Sequence, residues 1–232
     1  MKFIIKNGLS SKYAPINSRD SLLLSLHNKM VDGVMLNLNF TKDKEIVIYH
    51  NDNIFNKEIK KLTLEDIKKY NLGNRVKRHQ VVSLKEALEL FKDSSKLLIF
   101  NLSDYGSDNL LFSQYLTYLV RDYQNIYIQS SSQDMLSNLK NYQINAKLGT
   151  NFENEVDGMQ FYTISNHSFR KPYLEEMNNY LKMDKDDKFF LFNEVDSDKL
   201  MEFKEMFPEL EDYIYICSSK FFHNKRDWWK IK

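Results

Sequence analysis

Residues Gly33 to Asp52 read GVMLNLNFTKDKEIVIYHND. Two apolar-alternating runs, Val34 to Phe40 and Glu45 to Tyr49, flank the charged turn Thr41-Lys42-Asp43-Lys44. The pattern predicts two strands with polar groups presented near their ends. Asn37 interrupts the first run where an apolar side chain would pack better, and His50 directly follows the second. No carboxylate stands between Gly33 and Thr41, so a pocket built here offers amides, the Met35 thioether and one imidazole.

Outward from this stretch, strands and helices alternate. Phe3 to Lys6 reads as a strand, and Arg19 to Met30 carries leucines at helical spacing after the capping residue Ser18. Leu62 to Tyr70 and Ser83 to Phe91 are amphipathic helices whose starts, Thr63 and Ser83, precede an acidic first turn. Strands follow at Lys96 to Leu102, Asn125 to Gln129, Ala146 to Gly149, Gly158 to Tyr162, Lys188 to Asn193 and Tyr213 to Cys217. Most are separated by helical segments, at Asp108 to Tyr123, Gln133 to Tyr142, Pro172 to Met183 and Ser197 to Phe207. With Glu45 to Tyr49 set aside as an excursion after the second strand, this is the rhythm and size of a single-domain (β/α)8 TIM barrel. Periodicity also leaves an open doubly wound sheet as the alternative. The expected division is a barrel over residues 1–220, an excursion at about 40–82, and a basic, aromatic tail at 221–232.

With 33 basic and 32 acidic side chains the net charge is +1, so no general electrostatic attraction to nucleic acid or an anionic membrane is expected. The one cysteine, Cys217, lies in an apolar run and reads as a buried structural thiol of a reducing compartment. No run approaches the ~20 apolar residues of a membrane span, and MKFIIKNG is too short in apolar residues for a signal peptide. The expected location is cytoplasmic.

In a barrel, chemistry sits where the strands end. Those residues are Lys6, Asn37, Asn101 with Ser103, Gln129, Lys147, Gln160 or Tyr162, Asn193 and Ser218. The ring is polar, holds two lysines and no Asp or Glu, and is poor material for a hard divalent cation. The five histidines show no metal-ligand spacing. His27 reads as a solvent-flank residue, His79 as part of a solvated basic loop, and His167 with Arg170 and Lys171 as a loop that either reaches the mouth or stays apart from it. The tail FFHNKRDWWKIK either packs Trp228 and Trp229 on outer helices or contacts a protein partner or membrane surface.

The order of these elements, with a hairpin-like excursion after the second barrel strand, resembles the glycerophosphodiester phosphodiesterase family. Its carriers are Lys6-Asn7-Gly8 where the family has His-Arg-Gly, and Pro15-Ile16-Asn17-Ser18 where it has Pro-Glu-Asn-Thr. Asp32 to Asp43, His50-Asn51-Asp52, Val81 to Asp93 and Phe192 to Asp196 extend the likeness over nearly the whole chain. The resemblance implies a (β/α)8 barrel, a magnesium or calcium ion, two acid/base histidines and a place in lipid and glycerol metabolism as a phosphoric diester hydrolase.

Residue by residue, the chemistry departs from that pattern. The first catalytic histidine falls on Lys6, the phosphate-clamping arginine on Asn7, and the metal carboxylates on Met35, Asn37 and Asn101. The Glu of Pro-Glu-Asn-Thr falls on Ile16, the lysine after the third-strand carboxylate on Ser103, and only His50 keeps its catalytic type. Neutral amides compete poorly with water for such a cation and a thioether is too soft for it. The expectation is therefore no metal, no cofactor, and a degenerate relative inactive as a metal-dependent phosphodiesterase. Such a protein would bind a small phosphate- or polyol-bearing ligand through Lys6, Asn7, Asn17, Asn37, His50, Asn101, Ser103 and Lys147, or act as an interaction partner. The alternatives are an active phosphodiesterase with an altered site using His50 and Lys6, and a scaffold subunit working through outer helices or the tail.

Overall fold

The apolar runs close into a ring of parallel strands in a computed structural model that describes residues 1–73, 77–151, 159–165, 189–194 and 197–219. The barrel strands are β1 (Lys2–Lys6), β2 (Gly33–Phe40), β7 (Leu97–Leu102), β8 (Ile126–Ser130), β9 (Lys147–Asn151), β10 (Phe161–Ser165), β11 (Phe189–Asn193) and β12 (Ile214–Ser218). They pair in that order, and β1 pairs with both β12 and β2, which closes the (β/α)8 barrel and removes the open-sheet alternative. Helices α1 (Arg19–His27), α3 (Leu84–Phe91), α4 (Asn109–Val120), α5 (Gln133–Asn141) and α6 (Ser197–Met206) complete the described α/β units.

Alternation along each strand produces two cores. One set of side chains, including Val34, Leu36, Phe100, Ile128 and Phe192, packs against the helices, while Ile4, Met35, Ile99, Tyr127, Phe161, Leu191, Tyr215 and Cys217 fill the barrel. The registers, combined with the strand tilt of a closed barrel, stack the interior in layers of four from alternate strands. From below upward these are Gly33, Tyr127, Phe161 and Tyr215; then Ile4, Ile99, Gly149 and Leu191; then Met35, Gln129, Thr163 and Cys217. A top layer of Lys6, Asn101, Asn151 and Asn193 forms the floor of the mouth. Gly149 is required where it stands, because a Cβ there would lie 2.6 Å from the Phe161 ring.

The excursion is a small wall on the mouth side. β3 (Ile46–Ile48) turns back antiparallel to β2, pairing Leu38 with Ile48 and Phe40 with Ile46, and then β6 (Val82–Ser83) pairs with β3. Between them lie the β4 (Asn53–Ile54) and β5 (Lys57–Glu58) hairpin and helix α2 (Leu64–Lys68). Val47, Ile54, Ile59, Ile67 and Val81 give the excursion its own core. Capping boxes from Thr63 with Asp66 and Ser83 with Glu86 start α2 and α3, each side-chain cap contributing about 1 kcal/mol.

Among the segments whose bounds differ from the sequence-based expectation, three have a clear physical reason. α1 stops at His27, because Asn28 is extended and its side chain accepts from the Met30 N–H, so an Asx turn replaces the last helical turn. The fifth and sixth barrel strands, β9 and β10, run on to Asn151 and Ser165, past the Gly149 and Tyr162 expected as their ends. Polar Thr150, Asn151 and Thr163 read as loop but continue buried parallel pairing, Tyr162 with Thr150 and Thr163 with Asn151. The tail, His167 and Pro172 to Met183 lie outside the described residues, and no helix among those described is long and apolar enough to cross a membrane.

Candidate functional site

The loop after β1 sets the near side of the mouth. Gly8 takes φ +84, and its chain is drawn onto α1, the Leu9 N–H donating to the Ser21 carbonyl at 3.1 Å and the Ser25 hydroxyl at 2.7 Å. Serines at 21 and 25 are needed on this helix face because the loop packs so close; a Cβ on Gly8 would sit 2.6 Å from Ser21 Oγ. That places Asn7, at φ +60, with its N–H on the Met35 carbonyl and its carbonyl accepting from the Asn17 N–H at 2.9 Å. Both asparagines are buried. Each carries a side-chain oxygen with no hydrogen-bond partner among the described residues.

His50 arrives from the opposite side, at the end of the excursion's first returning strand. Its carbonyl accepts from Asn37 Nδ2 at 3.2 Å, and the Tyr49 carbonyl beside it accepts from Asn39 Nδ2 at 2.7 Å. The His50 ring meets Asn17 through Nδ1, 2.8 Å from Asn17 Nδ2. Partial burial holds its pKa below the ordinary histidine value, so the ring is neutral near pH 7.

A chain of amides crosses the mouth. Asn101 Nδ2 donates to Asn37 Oδ1 at 2.9 Å, and Asn37 in turn donates to His50. Because Asn101 spends its N–H on Asn37, it retains its side-chain oxygen as an acceptor for the mouth. Gln129 donates to Asn151 Oδ1 at 3.0 Å, and its own oxygen is buried and has no partner among the described residues; the same holds for Thr163 Oγ1 and Asn193 Oδ1. Lys6 is half-buried at the end of β1 and makes no ion pair among the described residues. Glu194, directly after β11, is spent on Ser218 Oγ at 3.2 Å and the Ser219 N–H at 2.9 Å.

Below this floor Met35 is buried with its sulfur 3.3 Å from Cys217 Sγ. Burial and the apolar surroundings push the Cys217 thiol up to about 12, so it stays protonated. Such a donor set does not suit a magnesium or calcium ion. The three positions where the resemblance leads us to expect metal carboxylates hold a thioether in a sulfur contact and two amides joined by a hydrogen bond. Among the described residues no group of three His, Cys, Asp or Glu side chains converges.

Of the residues singled out from sequence, Lys6, Asn7, Asn17, Asn37, His50 and Asn101 converge at the mouth. Ser103 lies slightly higher, in a groove of about 460 Å³ that continues outward past Asn39 between the excursion and the β7–α4 loop and is flanked by Asp52, Asp104 and Tyr105. Lys147 does not belong to the mouth. It begins β9 instead of ending it, pairs with Tyr127, and places its ammonium 5.9 Å from that ring at the far end of the barrel. Asn151 takes the place expected for Lys147, and Thr163 and Ser165 the places expected for Gln160 and Tyr162. Gln160 is spent at the strand start, where its side chain accepts from the Leu148 N–H at 2.7 Å. His27 is exposed as expected, whereas His79 is buried, its N–H on Asn71 Oδ1 and its Nδ1 3.7 Å from Asp20.

No family model matches the chain. An uncharacterized protein of Mycoplasma genitalium is 32% identical over 100 residues, which are 40% of this chain and 42% of that protein. The matched stretch thus spans less than half of that curated relative. Solved structures match at greater length. A glycerophosphodiester phosphodiesterase from Parabacteroides distasonis has a TM-score of 0.73 at 19% identity, with 94% of this chain and 92% of that one covered. An Oleispira antarctica phosphodiesterase in complex with sn-glycerol-3-phosphate gives 0.77 at 14% identity, covering 94% and 93%. The Thermotoga maritima glycerophosphodiester phosphodiesterase gives 0.69 at 15% identity, covering 94% of each chain. This chain therefore has the fold of the glycerophosphodiester phosphodiesterases.

Proposed function

We propose that this protein binds a small phosphate- or polyol-bearing ligand at the barrel mouth and does not hydrolyse phosphodiesters by a metal-dependent route. The observation that carries this is the Asn101 to Asn37 to His50 hydrogen-bond chain, in which two neutral amides stand where the resemblance leads us to expect metal carboxylates. Without a metal, neither the nucleophile nor the developing phosphoryl charge has its usual stabiliser. The mouth retains what anion and hydroxyl recognition needs. Lys6 supplies a cation for phosphate, and Asn101, whose N–H is spent on Asn37, supplies its side-chain oxygen as an acceptor for a ligand hydroxyl. The sn-glycerol-3-phosphate bound in the Oleispira protein of the same fold supports this ligand class. A buried free thiol suits the cytoplasm as the compartment.

Calorimetric titration with glycerol 3-phosphate in the presence of EDTA tests the reading. Saturable binding that is lost in Lys6→Gln is expected, and added magnesium or calcium should not change the affinity. Release of glycerol 3-phosphate from glycerophosphocholine with either metal, abolished in His50→Gln, would establish the active alternative instead. Absence of binding by any glycerol or inositol phosphate would remove ligand recognition and leave the scaffold role.

A further inference from the structure

We propose that Asn17 fixes the tautomer of His50 with the proton on Nε2, making the ring a hydrogen-bond donor to a ligand oxygen and denying it the role of general base. The geometry is direct. Asn17 Nδ2 lies 2.8 Å from His50 Nδ1, and an amide NH2 group has only protons to offer, so Nδ1 must present its lone pair. In a neutral imidazole the remaining proton then sits on Nε2.

Several contacts hold Asn17 in this role. Its backbone N–H is bonded to the Asn7 carbonyl, it adopts the left-handed conformation that Asn tolerates, and it is 1% exposed. Turning the amide by half a revolution would put two N–H donors where Oδ1 now has no partner, the costlier arrangement. His50 is fixed independently through its carbonyl, held by Asn37, and through the Tyr49 N–H, which donates to the Asn37 carbonyl at 3.1 Å. The backbone that carries the ring is thereby held in place, and turning the imidazole away about its own side-chain bonds would forfeit the 2.8 Å contact with Asn17. Its partial burial also favours the neutral form in which a tautomer is defined. Nε2 has no hydrogen-bond partner among the described residues.

A base at this position needs the opposite tautomer, with Nδ1 protonated against an acceptor and the Nε2 lone pair outward. Asn17 is thus a positioning residue: it acts on the ligand through His50. The tautomer is a property of the free protein, whereas the donor role rests on the ligand-binding reading above.

Long-range 1H–15N correlation of uniformly labelled protein at pH 7.5 tests both parts, with the His50 signals identified by their loss in His50→Gln. The expected spectrum shows a pyrrole-type Nε2 and a pyridine-type Nδ1; the reverse assignment overturns the proposal. In Asn17→Asp the carboxylate can only accept, so Nδ1 should become pyrrole-type, and a folded variant whose Nδ1 remains pyridine-type also overturns it. The wild-type spectrum decides the tautomer even if that variant does not fold. Saturation with glycerol 3-phosphate should shift the Nε2 resonance. Binding without that shift overturns the donor role, while failure to bind overturns the ligand reading and leaves the tautomer established.

Discussion

Asn101 Nδ2 donates to Asn37 Oδ1 at 2.9 Å, joining neighbouring strands β7 and β2 through side chains that meet at the mouth of the barrel. The Asn37 side-chain oxygen thus takes the Asn101 N–H directly. Because Asn37 also donates to His50, the pair couples the barrel to the excursion.

That coupling is measurable by a double-mutant cycle. Asn37→Ala and Asn101→Ala should each destabilise the protein, with an interaction energy of about 0.5–1.5 kcal/mol, the ordinary net value of a partly buried hydrogen bond. Urea unfolding of the four proteins gives the result. Strict additivity would show that the two amides do not support each other.

Acid should weaken the fold through His50. Its folded pKa lies below the unfolded value, so the unfolded chain binds the extra proton first, and stability falls as pH drops below about 6.5 and continues to fall until the folded pKa is passed. Thermal melts between pH 7.5 and pH 5 should show a smaller decline in His50→Gln than in the wild type. Carboxylates with lowered pKa, such as Asp66 at about 2, add their loss only at more acidic pH, below the histidine window. Equal slopes in the two proteins would remove His50 from the acid response.

Cys217 should be inert in the native state. It is fully buried with its thiol pKa raised to about 12, so neither access nor thiolate is available at pH 8. Labelling by a disulfide reagent should be negligible without denaturant and should follow the urea unfolding curve. Fast stoichiometric labelling of folded protein would contradict the barrel interior described here.

Gly149→Ala should destabilise by about 1–3 kcal/mol, the usual cost of overpacking, because the added methyl meets the Phe161 ring at 2.6 Å. Combined with Phe161→Leu, which removes the obstructing ring edge, the glycine substitution should cost less than it does alone. Chemical denaturation of the two single variants and the double variant decides this, and full additivity would place the strain elsewhere.

The sequence-based boundaries failed where polar residues lie inside strands. Thr150, Asn151 and Thr163 carry the chemistry of turns, yet Thr150 and Asn151 pair with Tyr162 and Thr163 of β10, and Thr163 pairs on its other side with Leu191 of β11, which makes them strand. A short slip in each strand end was enough to send Lys147 to the end of the barrel opposite the mouth and to hide Asn151. The useful signal was alternation: from Gly149, the next inward position is Asn151, and from Phe161 it is Thr163 and then Ser165.

The strand and helix rhythm, the excursion after the second barrel strand and the residue types at the mouth were determined by the linear chain. Each is local, set by side-chain periodicity and capping over a few residues. Only the tertiary structure decided what those residues do together. Layering depends on strand register and barrel tilt, which no single segment encodes, and the Asn101 to Asn37 to His50 chain spans 64 residues between its first pair. Likewise, Asn17 and His50 are unremarkable apart, 33 residues distant in sequence; their contact at 2.8 Å gives the imidazole one defined face.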